Sequence, residues 1–347
     1  MRAKRTVPST VACFAAALLT MGSAPAFAAD FPPPIPEGWS EGFVYANGIR
    51  IHYYHAVPAP GKPVILAVHG AMDTGLAWAS VAIRLQKDYD IYMLDTRGHG
   101  LSDPATSADD RNTLLKDVME SAQKLHLEKP VLMGHSMGGG TVIRLGAEYP
   151  DFARGIIVVD AGISTPGPQR GGAPATRPSQ PAAPQSAAPN PLSVGMRGTP
   201  DAMVAQNNYK YEDLVAKARR DNPRWSMMDC QYWAVAIKRF HGTYTDALPQ
   251  ATAGGTRGST PGATRGEDPL SKIQAPVIIL KADAPADVRD AQQKAASVMK
   301  NGKMVTIDDS AHNVQRDQPD RAAEVIREFM TTRVFVNAPQ GGANPPQ

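Results

Sequence analysis

Val131-Leu132-Met133-Gly134-His135-Ser136-Met137-Gly138-Gly139-Gly140 is the stretch on which the reading of this chain turns. Val131–Met133 is a short apolar run of the kind that makes a buried strand, and Met137–Tyr149 continues in a helical pattern rich in small residues. Between the two lies G-x-S-x-G. A serine on a tight strand-to-helix turn stands exposed at the carboxyl edge of a sheet, and such a turn demands strained backbone angles. Glycines two before and two after it let the strand and helix backbones approach each other. An ordinary strand–helix loop is the bland alternative, and the strand–turn–helix context weighs against it.

Outward from that point the chain alternates. Val64–Val68, Ile91–Leu94, Val131–Met133 and Ile156–Val159 read as buried parallel strands, with helices over about 76–86, 111–126 and 137–149. Phe43–Tyr45 and Ile49–Ala56 read as an antiparallel hairpin turning at Asn47-Gly48. After Asp160 the pattern breaks. Residues 164–200 are crowded with Pro, Ala, Gly, Ser and Gln, and 249–268 with Gly, Thr and Pro, so both are expected to be flexible. Residues 201–247 carry Tyr209, Tyr211, Trp225, Met227, Met228, Tyr232, Trp233 and Phe240 at partly helical spacing. Alternation then resumes with Val277–Leu280, a helix near 286–300, Met304–Ile307 and a helix near 321–329. Strand and helix in alternation predict an α/β fold with a mostly parallel sheet and helices on both faces.

The two ends stand apart from this pattern. Arg2, Lys4 and Arg5, the apolar run Val11–Leu19 and Ala26-Phe27-Ala28 read as a secretory signal peptide over 1–28, so export to the periplasm or medium is expected. The apolar run is short for a membrane anchor. The tail 334–347 is expected to be disordered. The formal charge of +3 is carried by those three cations, and no acid stands among the first 28 residues. The remainder is balanced and suggests neither a nucleic-acid partner nor a membrane-surface one. Of the two cysteines, Cys13 falls in the signal and Cys230 is left alone, with no disulfide partner and no cysteine-nucleophile motif around it.

Four short motifs bear on chemistry. His69-Gly70 closes the Val64–Val68 strand; alone it is only a turn. Asp95-Thr96-Arg97-Gly98-His99-Gly100-Leu101-Ser102-Asp103 lies between strand and helix, and its polar residues read better as braces for loops than as reactants. Gly134–Gly138 carries Ser136. His312 sits in Asp309-Ser310-Ala311-His312-Asn313, just after the last strand. A serine hydroxyl is a poor nucleophile until an imidazole takes its proton, and among the eight histidines His312 has the position for that base. Together these motifs resemble the α/β-hydrolase superfamily, over about residues 42–160 and 272–332.

The resemblance implies an eight-stranded sheet and a cap inserted over 161–270, between core segments 29–160 and 271–333. It implies a two-step acyl transfer to water that calls for no metal and no cofactor, with the backbone N–H groups of Ala71 and Met137 holding the oxyanion. The acid that orients His312 stays open. The usual loop, after Val277–Leu280, reads Lys281-Ala282-Asp283-Ala284-Pro285-Ala286-Asp287, and the frequent G-x-x-D spacing puts Pro285 at the acid position. Asp283 and Asp287 are candidates there; Asp160, ending the strand Ile156–Val159, is the other. The expected substrate is a small or medium apolar ester, thioester, lactone or amide. The alternative class is a non-catalytic exported binding protein that keeps the fold, which reaction of the serine with a fluorophosphonate would distinguish.

Overall fold

The computed structural model describes residues 32–106, 108–163, 208–241 and 268–336. The signal-like segment 1–28, the Pro-rich stretch 164–200, the Gly/Thr/Pro-rich 249–267 and the tail from 337 lie outside the described residues. A hairpin leads the chain into the sheet. β1 (Ser40–Ala46) and β2 (Ile49–His55) pair antiparallel from Ser40↔His55 to Ala46↔Ile49. Asn47 and Gly48 make the turn at φ 46° and 81°. Both central positions are left-handed, a conformation asparagine and glycine accept and one that suits the twist of the two strands.

β3 (Val64–Val68), β4 (Asp90–Leu94), β5 (Val131–His135), β6 (Gly155–Val159), β7 (Val277–Ala282) and β8 (Gly302–Ile307) complete one eight-stranded sheet. Its spatial order is β1-β2-β4-β3-β5-β6-β7-β8. β2 runs antiparallel to β4, and every later pair is parallel. The order reverses around β3, with strands added outward on either side, so the crevice beyond the carboxyl ends of β3 and β5 is where such a sheet places a site.

The parallel strands are buried on both faces, and the alternation of their side chains divides the core in two. Ile65, Ala67, Ile91, Met93, Val131, Met133, Ile157, Val159, Ile278 and Leu280 face one layer. That layer is closed by α1 (Ala79–Leu85) and α8 (Pro319–Phe329). Leu66, Val68, Leu132, Ile156, Val158, Val277 and Ile279 face the other, against α2 (Arg111–Lys124), α3 (Met137–Glu148) and α6 (Ala286–Val298). A continuous apolar run thus serves both layers because successive residues point to opposite faces. The helix expected over 76–86 begins as a 3₁₀ turn, Gly75–Trp78, before α1. Gly75 is needed there, because a Cβ would press on the Met93 backbone and the Tyr54 ring.

Between β6 and β7 the described residues hold two helices, α4 (Tyr211–Asp221) and α5 (Met227–Lys238). Tyr211, Leu214, Val235 and Ile237 pack together, with Met72 of the loop after β3 against them. A last one-turn helix, α7 (Val314–Asp317), follows the loop after β8. Among the described residues no helix is long and apolar enough to cross a membrane.

Candidate active site

Ser136 follows β5 with φ 50° and ψ −112°, a region L-residues rarely occupy, and α3 begins at the next residue. The flanking glycines show why this turn is possible. A Cβ on Gly134 would sit on the Gly138 carbonyl, and one on Gly138 would sit on the Val68 and His69 carbonyls. The strand, the helix and the loop after β3 therefore meet at glycine alone. The Ser136 N–H is spent in the sheet, donating to the Val159 carbonyl at 3.0 Å. That bond fixes the backbone while the hydroxyl faces the crevice.

Three side chains meet here. The Ser136 hydroxyl and His312 Nε2 are 3.0 Å apart, and His312 Nδ1 is 2.6 Å from Asp160 Oδ2. Asp160 is the residue after β6 and has φ 41°. Its other oxygen, Oδ1, accepts from the Ala282 N–H at 3.2 Å and from the Lys281 ammonium. Burial would raise the Asp160 carboxyl, but its bonds to His312 and Lys281 outweigh that and hold it below its ordinary value. Asp160 is 7% exposed while the His312 side chain is 55% exposed, so the line runs from a dry carboxylate to an open imidazole.

Asp283 does not touch His312, which corrects its candidacy as the acid. Its carboxylate accepts from the Asp309 N–H at 2.6 Å, and its own N–H donates to the Ser310 carbonyl at 3.2 Å. It ties down the loop that carries His312. Asp287 lies exposed in the first turn of α6, which Pro285 introduces, and it too is apart from His312. The physical reason is direction: the left-handed backbone of Asp160 turns its carboxylate to His312, while Asp283 spends its own on the Asp309 N–H. The loop after β8 reaches back toward β5 and passes Asp160 at the end of the intervening β6.

The backbone donors are set by the same loops. Met137 N–H opens α3, where no helical carbonyl precedes it. Gly70 lies against Ser136: a Cβ on it would be 3.3 Å from Ser136 Cβ and 2.7 Å from His135 Nδ1. His69 Nε2 receives the Thr96 N–H at 3.0 Å, so the ring proton is on Nδ1 and is donated to the Gly70 carbonyl at 2.6 Å. In a trans peptide this points the following N–H, that of Ala71, the other way. Met72 N–H donates to His99 Nε2 at 3.1 Å. Ala71 N–H, between these two fixed groups, makes no hydrogen bond among the described residues. Burial drives both imidazoles toward neutrality, His99 down to about 3. The Asp95–Asp103 segment is indeed a brace. Asp95 accepts from the Gly75 and Leu101 N–H groups and from His52, and Arg97 is held by Asp117 and Asp109.

Sequence reasoning missed a further group of contacts. His135 Nε2–H donates to the His312 carbonyl at 2.8 Å. Arg316, wholly buried, makes a two-pronged pair with Asp73 at 2.6 and 2.9 Å and lies over the Trp225 ring at 4.8 Å. Trp225 Nε1 donates to Asp317 at 2.9 Å, and Asp317 accepts from the Ala311 N–H at 2.8 Å. The loop after β3, the loop of His312 and the segment leading into α5 are thereby joined.

Comparison with known proteins agrees with this fold. The model of the alpha/beta hydrolase family matches residues 65–325, and the chain belongs to that family. It is 37% identical over 127 residues to N-formylmaleamate deformylase of Pseudomonas putida, covering 36% of this chain and 47% of that one. It is 30% identical over 98 residues to 2-(acetamidomethylene)succinate hydrolase of Mesorhizobium japonicum, covering 28% and 35%. The matches thus span less than half the length of either relative. The thioesterase domain from the curacin biosynthetic pathway superposes with a TM-score of 0.58 at 20% identity, over 83% of this chain and 99% of that one, and shares the fold.

Proposed function

We propose that this hydrolase is an exported serine enzyme that cleaves a small or medium apolar ester, thioester, lactone or amide through an acyl-enzyme. Ser136 Oγ attacks the carbonyl carbon as His312 Nε2 takes the hydroxyl proton. Asp160 keeps the imidazole in the tautomer that can accept it and stabilises the imidazolium. The carbonyl oxygen becomes an oxyanion held by the Ala71 and Met137 N–H groups. Collapse breaks the bond to the leaving group, which departs with the His312 proton. A water then attacks the acyl-enzyme, gives its proton to His312, and the acid is released with Ser136 restored.

The observation that carries this reading is the unbroken line of hydrogen bonds from the Ser136 hydroxyl through His312 to Asp160. The likeness to a deformylase over 127 residues supports the amide among these bonds. Export rests on the composition of residues 1–28. The test is labelling by a fluorophosphonate, which only an activated serine attacks, followed by chromogenic esters and anilides of graded acyl length. Labelling lost in Ser136→Ala and turnover on the shorter acyl groups are the expected results. A chain that neither labels nor hydrolyses any of these would instead be a binding protein built on the fold.

A further inference from the structure

We propose that Lys281 is a positioning residue of the triad, whose ammonium, seated on the oxygen of Asp160 turned away from His312, lowers the pH at which His312 works as a base. The inference rests on the serine-hydrolase reading above. The two oxygens of Asp160 divide their partners: Oδ2 serves His312 Nδ1 at 2.6 Å, and Oδ1 serves Lys281 Nζ and the Ala282 N–H. Lys281 stands near the end of β7, beside Asp160 at the end of β6, and the Asp160 N–H donates to the Leu280 carbonyl at 2.9 Å. The left-handed backbone of Asp160 lets its carboxylate lie across both neighbours.

The placement is electrically consequential because it is dry. The Lys281 side chain is 12% exposed and that of Asp160 7%. Charges so placed feel each other through a far lower effective dielectric than water. A carboxylate beside an imidazole favours the protonated ring, which is the form that cannot take a proton from serine. A cation on the far oxygen offsets much of that pull, and it also repels the imidazolium directly. Both effects keep His312 deprotonated to lower pH. The Ala282 N–H shares that oxygen with the lysine, so removing the ammonium leaves one donor on it and takes away the charge.

Among the described residues few other charges face this group. His135, from β5, lies 4.7 Å from the His312 ring centre to centre, and burial holds it neutral, with its pKa down to about 3. Beyond it the Asp73–Arg316 pair is internally compensated. On the His312 loop itself, Asp309 is near Arg224 at 3.6 Å, and Asp317 is engaged by Trp225 and Ala311. Asp283 is bound to the Asp309 N–H. Among the described residues Lys281 is the lysine or arginine in contact with Asp160.

The test is the pH dependence of fluorophosphonate labelling and of kcat/KM on one chromogenic ester, for the wild type, Lys281→Met and Lys281→Arg. With the cation removed, the acidic limb should move up by about one pH unit, which is about a tenfold loss at a pH on that limb. Lys281→Arg, which keeps the charge, should keep the wild-type limb. A Lys281→Met variant that is folded by circular dichroism and has an unmoved limb overturns the proposal. So does a Lys281→Arg variant whose limb moves as far as that of Lys281→Met, since charge would then not be the cause. An independent reading is the NMR titration of His312 in the wild type and in Lys281→Gln, where the neutral side chain keeps a hydrogen-bond donor. An equal pKa in the two refutes the idea without any catalysis being measured. Failure of the underlying reading looks different: the wild type would not label at all.

Discussion

In the proposed triad, Asp160→Asn separates the charge of the acid from its shape. The amide keeps an acceptor for the Ala282 N–H, now 3.2 Å from Oδ1, and fills the same volume. Facing His312, however, it turns an NH₂ donor or a neutral oxygen toward Nδ1. With the donor, the ring proton moves to Nε2, the atom 3.0 Å from the Ser136 hydroxyl, and the imidazole can no longer accept. Turnover on an ester should fall by about a thousandfold to ten-thousandfold with KM little changed. The same substitution leaves the Lys281 ammonium, 12% exposed, without its counter-charge, at a cost of about 1–3 kcal/mol in stability. The two losses are separable. Asp160→Asn combined with Lys281→Met should recover much of the stability and none of the activity. Stability should also depend on pH. The folded Asp160 carboxyl lies below its ordinary value, so its contribution is full above the unfolded carboxylate range, about pH 4, and fades as pH falls through the folded value. In Asp160→Asn that part of the acid sensitivity should vanish. Assays are steady-state kinetics on one ester and thermal melts from pH 3 to 7. Near-normal turnover in Asp160→Asn, or an equal loss in Asp283→Asn, would refute the assignment of the acid.

Ser136→Ala should abolish fluorophosphonate labelling and hydrolysis while shifting unfolding by less than about 1 kcal/mol, since one hydroxyl is lost from a backbone that Gly134 and Gly138 already permit. Two glycines of α3 should behave oppositely: Gly138→Ala drives a methyl onto the Val68 carbonyl and should cost about 3 kcal/mol or more, whereas Gly140→Ala meets nothing within 4 Å and should gain about 0.5–1 kcal/mol in chemical denaturation. Arg316→Met leaves Asp73 buried without its partner and should cost about 3–5 kcal/mol, with the double variant Asp73→Asn, Arg316→Met losing less than the sum of the singles.

Much of this was legible in residue order because it depends on local rules. The apolar runs at Val64–Val68 and Val277–Leu280 are strands in the sheet, and G-x-S-x-G marks a turn only glycine neighbours allow. Asp160 and Asp283 were not separable, since each follows a strand and precedes a break in the pattern. What divides them is direction: Asp160 has a left-handed backbone that turns its carboxylate to His312, and Asp283 spends its own on the Asp309 N–H. The Asp73–Arg316 pair was invisible for another reason. Its members lie 243 positions apart, Asp73 in the loop after β3 and Arg316 in the one-turn α7, and neither charge has a periodic or motif-like neighbour. Lys281 stood in view in the segment read for an acid, but a search for carboxylates passes over a cation.

The sheet order explains why the acid can sit after β6. Adjacent strands lie about 4.8 Å apart, so the end of β8 is roughly 14 Å from the end of β5, three strand spacings away. His312 follows β8, Ser136 follows β5, and the order β5-β6-β7-β8 leaves two strand ends beneath the path between them. An acid on either one can meet the imidazole from below. With Asp160 on β6, the acid lies one strand from the serine, and β7 is free to supply the opposite charge through Lys281. The base travels furthest and is the most heavily tethered. Its loop is held at Asp309 by Asp283, at Ala311 by Asp317, and at the His312 carbonyl by His135. That last tether comes from the residue next to Ser136, so the nucleophile's own turn helps to place its base. The imidazole can then stay 55% exposed, open to substrate and water, while its backbone is fixed. An open base on a fixed loop is what a two-step reaction needs, because the second step must admit the water that the first must not lose its proton to.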